Sequence, residues 1–329
     1  MEDEGNDGTY GSVPVTSQAA TTSTVVGKAK TFAGLSPKEW AFLVVSILNL
    51  LAALGFTGYS LWYVVDKDKE NTVDFTFAVL LLINIVFCTF YVVHGLFRER
   101  EFELYAFIAA TLVVVVYCIT EYAVNVAGHS NPIKLPRLIV SCALALPNIV
   151  LAWMVARDFG FLAFRIVGAS EALQLMYRQS AAFSTLLKFD FQVGVSFVVL
   201  VLEQGVNLTT LEIVTLSVGL PFSFLWLILG WITMRKEIKP LMWIFIVLGL
   251  VGPAYVIYKI VMLFENLEEE QSEKLLIYAV IVAGALELLV HVILLIQAVV
   301  VYRNFKKGLK ERAFDPTEQT SLLVAAGRR

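Results

Sequence analysis

Glu287 and His291 are the two residues whose types and spacing best fit chemistry. They stand four residues apart in a segment that is otherwise apolar from Leu286 to Ile293, and this spacing places both side chains on one face of a helix. An ionised carboxylate inside a membrane is costly unless it is paired, so it is expected to face the protein interior or a wet cavity. The pair therefore predicts either an ionisable, proton-loading core of a transport path or hydrogen bonds that lock neighbouring helices together.

Three asparagines and three prolines interrupt other apolar segments at a comparable depth. The asparagines are Asn49, Asn84 and Asn148, and the prolines are Pro147, Pro221 and Pro253. Each proline leaves a backbone carbonyl that protein or water must satisfy in lipid. Kinked helices with polar residues near the midplane are typical of substrate sites in transporters, so these asparagines are candidate path residues. Ordinary helix packing is the alternative interpretation of each.

The composition indicates a membrane protein. Of the 329 residues, 58% are hydrophobic and 16% are charged, with a mean hydropathy of +0.75, whereas soluble domains carry about 25% charged residues. A soluble protein of this size could not solvate its exterior with so few polar groups. The net charge of −3 and the lack of a basic stripe argue against nucleic acid as a partner. A lipid bilayer is the partner that we expect.

No motif for catalysis or for a cofactor is present in the sequence. The three cysteines, Cys88, Cys118 and Cys142, lie in apolar runs, and no Cys and His residues have the spacing of metal ligands. There is no Gly-rich phosphate loop and no nucleophile–base set. We therefore predict that the protein is not an enzyme and has neither a cofactor nor a metal site.

The apolar runs predict an all-α polytopic membrane protein with eight spans, each long enough or nearly so to cross about 30 Å of hydrocarbon. The predicted spans are 40–64, 74–97, 103–125, 137–156, 185–204, 210–234, 240–264 and 275–302. The fifth span is short, so Asp190 and Gln192 are expected at or below the membrane interface. No internal repeat is evident, although eight spans allow an arrangement of four plus four.

The remaining segments divide into tails and one amphipathic stretch. Residues 1–35 predict a disordered cytosolic tail, and the bundle over 36–303 begins with a capping box formed by Ser36, with Pro37 at the first helical position and Glu39 two residues later. Residues 157–184 show helical amphipathicity. This stretch is expected to lie along the headgroups or to extend the fifth span into the cytosol. Residues 304–329 form a cytosolic C-terminal tail.

Charge placement predicts that both termini are cytosolic. With eight spans and this orientation, 19 of the 25 lysines and arginines fall on the cytosolic side, in agreement with the positive-inside rule. Asn207 begins the sequence Asn-Leu-Thr, which matches the acceptor motif for N-glycosylation. The predicted topology places it on the opposite side of the membrane, but its closeness to two spans disfavours modification.

Short motifs in the tails resemble sorting signals. Glu318 stands four residues before Leu322 and Leu323, a pattern that resembles the acidic dileucine signal read by clathrin adaptors on endosomal and lysosomal membrane proteins. Tyr10 and Val13 resemble a tyrosine-based adaptor signal. These resemblances imply clathrin adaptors as partners and an endosomal or lysosomal membrane, with the plasma membrane as the alternative.

Two function classes follow from these observations. The first is a small-solute or proton-coupled transporter, or a channel, with Glu287 and His291 in its path. The second is a non-transporting scaffold or trafficking protein that acts through its cytosolic tails.

Overall fold

The computed structural model describes residues 21–24, 27–66, 72–125, 134–201, 210–265 and 274–314. Over the described residues from Pro37 onward the chain is an all-α polytopic membrane protein with eight helical spans long and apolar enough to cross a membrane. The helices are α1 (Pro37–Asp66), α2 (Thr72–Phe97), α3 (Glu101–Asn125), α4 (Lys134–Asp158), α5 (Phe161–Val167), α6 (Glu171–Val201), α7 (Thr210–Val214), α8 (Leu220–Lys236), α9 (Lys239–Gly249), α10 (Val251–Glu265) and α11 (Lys274–Arg303).

Two of the spans contain an irregular turn next to a proline. In the sixth span a π-helical turn, Thr215–Gly219, joins α7 to α8 and precedes Pro221. In the seventh span α9 ends at Gly249, and α10 carries Pro253 in its first turn. Because proline has no backbone N–H, the carbonyl four residues before it lacks its helical partner. For Pro253 that carbonyl belongs to Gly249.

The start of α1 is capped as the sequence predicts. The Ser36 backbone N–H donates to Glu39 Oε2 at 2.7 Å, and the Glu39 N–H donates to Ser36 Oγ at 3.4 Å. Within the segment that we expected to be a disordered tail, the structure has a short antiparallel hairpin of β1 (Thr21–Thr24) and β2 (Gly27–Lys30), followed by a 3-10 turn over Phe32–Gly34.

The eight spans pack as two four-helix halves. In the N-terminal half, α1 packs against α2 and α4, and α3 completes the ring between them. In the C-terminal half, α6 packs against α8 and α11, and α9 and α10 complete the ring. Each half has its own core of fully buried side chains. The four-plus-four arrangement that the span count allowed is therefore present.

α6 joins the two halves by packing against α2 and α3. At this joint the Glu103 carboxylate is almost fully buried and accepts a hydrogen bond from Lys188 Nζ, while His94 Nδ1 lies 2.5 Å from its other oxygen. A buried ionic cluster of this kind is tolerated because each charge has a partner.

The outer surface of the bundle is apolar. Large hydrophobic side chains, among them Leu146, Val247 and Ile296, are more than half exposed. Exposed apolar surface on this scale is expected where lipid, and not water, surrounds the helices.

The observed helices contain seven of the eight predicted spans within a few residues at each end, and the fifth differs. The structure forms one continuous helix of 31 residues, α6, where we expected an amphipathic segment over 157–184 followed by a span over 185–204. The alternative that this stretch extends the fifth span agrees with the structure over α6. As a correction, Asp190 and Gln192 lie within this long helix and are buried in the bundle, where Asp190 contacts His291 near the middle of α11.

Candidate functional site

α6 and α11 bring Asp190 and His291 together in the interior of the C-terminal half. His291 Nδ1 lies 2.9 Å from Asp190 Oδ1, and both side chains are about 95% buried. Glu287 is one helical turn before His291 on α11 and is 8% exposed. One oxygen or nitrogen from each of the three residues lies within 4.8 Å of the other two. We call Asp190, Glu287 and His291 the acidic triad.

The broken seventh span determines how His291 is held. His291 Nε2 lies 2.7 Å from the carbonyl oxygen of Gly249, the carbonyl left without a helical partner by Pro253. A carbonyl can only accept a hydrogen bond, so Nε2 carries the proton and donates. The contact between Nδ1 and Asp190 Oδ1 then either contains one further proton, which the two atoms share, or contains none.

Trp226 of α8 fixes the plane of the His291 ring. The indole stacks on the imidazole with ring centroids 5.2 Å apart, and on its other side it stacks on Phe245 at 4.4 Å. Trp226 Nε1 donates to the Phe245 carbonyl at 2.9 Å. The imidazole is therefore oriented by helices α8, α9 and α11 together.

Glu287 is the member of the acidic triad with a fully buried oxygen that lacks a hydrogen bond to the described residues. Glu287 Oε2 is buried and has no hydrogen-bond partner among the residues that the structure describes. Gly194 of α6 faces this carboxylate, and a Cβ atom at that position would lie 3.1 Å from Glu287 Oε1. Glycine at position 194 thus leaves room for the carboxylate between α6 and α11.

The charges of the acidic triad are not balanced by its own members. With both carboxylates ionised, the formal charge of the triad is −2 with a neutral imidazole and −1 with an imidazolium. An unbalanced negative charge in a low-dielectric interior is expensive. The missing positive charge can come from a bound cation or from protons taken up by the carboxylates.

The three predicted asparagines lie in the other half of the molecule. Asn148 is fully buried, and its Oδ1 accepts a hydrogen bond from Ser46 Oγ at 2.8 Å. Asn49 and Asn84 line a cavity of about 50 Å³ between α1, α2, α3 and α4, and Asn84 Oδ1 also accepts from the Cys88 thiol at 3.0 Å. The structure therefore separates these asparagines from Glu287 and His291.

Asp190 is the member of the acidic triad that is not predicted as a site residue from the sequence. The apolar run between Lys188 and Glu203 is short, which predicts Asp190 at or below the interface. The helical periodicity of the preceding stretch was the signal that could have placed it inside, because a helix that starts at Glu171 carries Asp190 about 28 Å along its axis at 1.5 Å per residue.

The other predicted sites fall outside the residues that the structure describes. They are the possible glycosylation site Asn207 and the sorting residues Tyr10, Val13, Glu318, Leu322 and Leu323.

A family profile matches the chain over residues 26–157 and 167–300. The first range contains the four spans of the N-terminal half, and the second contains nearly all of the C-terminal half. No curated protein and no solved structure matches the chain. Since the matched ranges cover most of the sequence, the chain belongs to the family described as domain of unknown function DUF7789.

Proposed function

We propose that this multi-pass membrane protein is a transporter or channel for a small cation, and that the cation passes through the C-terminal half at the acidic triad. The observation that carries this proposal is the burial of two carboxylates and one imidazole together between α6 and α11. Ionisable residues within membrane spans are rare and typically mark ion or substrate pathways.

The alternative that the acidic triad only holds helices together explains less of the geometry. The N-terminal half joins its first and fourth spans with a neutral pair, Ser46 and Asn148, so this contact needs no charge. The buried Oε2 of Glu287 bonds to nothing among the described residues and therefore contributes no helix–helix hydrogen bond. A purely structural role leaves that carboxylate unexplained.

The irregular seventh span adds support for a path at this place. α9 ends at Gly249, and its carbonyl is directed to His291 and not to the helix. Discontinuous helices with free carbonyls beside ionisable residues are typical of cation sites in transporters.

We further propose that the protein resides in endosomal or lysosomal membranes with both termini in the cytosol. The positive-inside rule supports the orientation, and the resemblance of Glu318, Leu322 and Leu323 to a dileucine signal supports the destination. The substitutions Leu322→Ala and Leu323→Ala together are expected to move the protein to the plasma membrane. Unchanged localisation would contradict this part of the proposal.

Charge movement across reconstituted membranes tests the central part of the proposal. The purified protein is adsorbed on a solid-supported membrane, and currents are recorded for concentration jumps of K⁺, H⁺ and Mn²⁺ in turn. We expect a current for at least one cation that falls at least about tenfold in Glu287→Gln and Asp190→Asn. Asn148→Ala, a buried polar substitution in the other half, is the matched control and should retain the current.

Two results would overturn the proposal. One is the absence of current for every cation with well-folded protein, and the other is a current that both carboxylate variants retain.

A scaffold function is the second candidate, and the tail motifs favour it. If a fusion that carries only the two tails restores every phenotype of a deletion strain, the scaffold function replaces transport.

A further inference from the structure

We infer that the acidic triad binds a divalent first-row transition metal ion, with Asp190, Glu287 and His291 as its protein ligands. This inference rests on the proposed function and names the class of cation that the path takes.

The spacing of the three donor groups fits a single metal ion. All three candidate ligand atoms lie within 4.8 Å of one another, and His291 Nδ1 is 2.9 Å from Asp190 Oδ1. Two ligands bound at about 2.1 Å lie roughly 3.0 Å apart at the right angle of octahedral coordination and roughly 3.4 Å apart at the tetrahedral angle of zinc sites. The separation of His291 Nδ1 from Asp190 Oδ1 therefore matches the first geometry and is about 0.5 Å short of the second.

The outer hydrogen bond of His291 is the one that metal-binding histidines use. Such histidines donate their second ring N–H to a carboxylate or to a backbone carbonyl, which fixes the tautomer and the ring orientation. His291 Nε2 donates to the Gly249 carbonyl at 2.7 Å, and Trp226 stacks on the ring. This arrangement leaves the Nδ1 lone pair directed toward Asp190 for coordination, once the proton shared with Asp190 has left.

Glu287 supplies an independent indication of a ligand. Its Oε2 atom is one of nine buried side-chain atoms without a hydrogen-bond partner among the described residues, and of these nine it is the one that belongs to the acidic triad. Gly194 provides the space for this carboxylate beside α6. A metal ion between Glu287 and Asp190 would satisfy the free oxygen and offset the negative charge of both carboxylates.

The donor set selects the class of metal. Two carboxylates and one imidazole suit Zn²⁺, Mn²⁺ or Fe²⁺, whereas Ca²⁺ requires six to eight oxygen ligands and Mg²⁺ prefers oxygen ligands and retained waters. Three protein ligands leave at least one coordination position open. An ion that must enter and leave is expected to have such an open position.

Metal binding by the purified full-length protein tests the inference. The protein in lipid nanodiscs is titrated with Zn²⁺ by calorimetry, with Co²⁺ absorption as a second readout of imidazole and carboxylate coordination. We expect one strong site per chain, with an affinity that falls at least about tenfold in Asp190→Asn, Glu287→Gln and His291→Ala. Asn148→Ala is the matched control and should bind Zn²⁺ with wild-type affinity. The wild type should also keep its Zn²⁺ affinity in the presence of excess Mg²⁺.

Glu287→Gln keeps the test valid if other variants do not fold. It changes only the atom that has no partner and preserves the shape of the side chain, and size-exclusion chromatography checks its fold. Wild-type Zn²⁺ affinity in a folded Glu287→Gln protein would overturn the inference.

The binding and current measurements separate the two proposals. Currents of K⁺ or H⁺ without Zn²⁺ binding would overturn the metal site and leave the path in place. Zn²⁺ binding without any current would support the metal site and overturn transport.

Discussion

The two halves of the molecule share one arrangement of helices and differ in what they bury. Phe42 of α1 meets Phe107 of α3 with ring centroids 5.8 Å apart and a T-shaped geometry, and Phe183 of α6 meets Phe245 of α9 in the same way at 5.7 Å. In both halves the aromatic pair connects the first span to the third. The packing of the apolar core is therefore common to the two halves.

The polar contact between the first and fourth spans is where the halves diverge. Ser46 and Asn148, 102 residues apart, form it in the N-terminal half, and Asp190 and His291, 101 residues apart, form it in the C-terminal half. A neutral hydrogen bond is enough to join two helices in a membrane. A neutral pair could therefore join the first and fourth spans of the C-terminal half as well, and the ionisable groups found there are better explained by a function.

Removing one partner from each of these contacts should give the largest difference between the halves. Asp190→Ala leaves the buried Nδ1 of His291 without its hydrogen-bond partner, and we expect it to lower the free energy of unfolding by about 3 kcal/mol, the upper end of the cost of an unsatisfied buried polar group. Ser46→Ala removes a neutral interhelical bond, worth about 0.6 kcal/mol on average. Unfolding in mixed micelles with a chelator present measures the free energy of unfolding of both variants. Equal losses for Asp190→Ala and Ser46→Ala would show that the two contacts do not differ in their contribution to stability.

Glycine substitutions at one position in each half should give a smaller difference in the free energy of unfolding. A Cβ atom at Gly230 of α8 would lie 2.6 Å from Phe245 Cε2 and 3.0 Å from Leu187 Cδ2, whereas no atom lies within 4 Å of such a Cβ at Gly58 of α1. Gly230→Val should therefore destabilise the protein by about 1–3 kcal/mol through overpacking, and Gly58→Val should leave stability nearly unchanged. Thermal melting in detergent measures both variants.

Substitution of a proline should change Zn²⁺ affinity in the C-terminal half but not in the N-terminal half. Pro253→Ala restores a backbone N–H that can compete with His291 for the Gly249 carbonyl, so Zn²⁺ affinity should fall by roughly tenfold. Pro147 lies inside α4 of the other half, and Pro147→Ala should leave the affinity unchanged. A calorimetric titration in which the two variants bind equally would show that the freed carbonyl does not position His291.

The smallest expected effect concerns the turns between the second and third spans. Glu99 and Glu237 occupy these turns in the two halves, and both have a left-handed backbone, with φ of 49° and 51°. Glu99 pairs with Lys30 at 2.7 Å, whereas Glu237 accepts backbone N–H bonds from Lys306 at 2.6 Å and Lys310 at 3.1 Å. The same turn is thus tied to the chain before α1 in one half and to the chain after α11 in the other.

Burial raises the pKa of Glu237 above its ordinary value of 4.5 despite the two N–H donors. A carboxyl whose pKa is raised on folding contributes stability that is fully present below pH 4.5 and is lost as the pH rises through the folded pKa. The melting temperature of the wild type should therefore decrease slightly as the pH rises above 4.5, and Glu237→Gln should flatten this slope. An identical slope in the variant would contradict the assignment.

The sequence predicts the number of spans well because an apolar helix in lipid has little freedom in length. It misplaces the start of α6 because polar groups there are satisfied by the protein: Gln179 Oε1 accepts a hydrogen bond from Asn304 Nδ2, just after α11, and the Gln179 backbone carbonyl accepts one from Gln297 Nε2 at 2.9 Å. Hydropathy counts such residues as unfavourable in a span. A contact with α11 makes them tolerable.

The sequence predicts two of the three residues of the acidic triad, because only these two are close to each other along the chain. Glu287 and His291 stand four residues apart on one helix, so their proximity follows from helical geometry. Asp190 reaches them from 101 residues away, and nothing in local spacing encodes that contact. The depths of Asn49, Asn84 and Asn148 were also visible in the sequence, but not their location in the other half.

The most direct test of the proposed metal site is an anomalous-scattering experiment on crystals grown with Zn²⁺. We expect one strong peak between α6 and α11, about 2.0–2.2 Å from His291 Nδ1 and from one oxygen each of Asp190 and Glu287. Density at the zinc edge that lies only elsewhere on the protein, with His291 still hydrogen-bonded to Asp190, would contradict it.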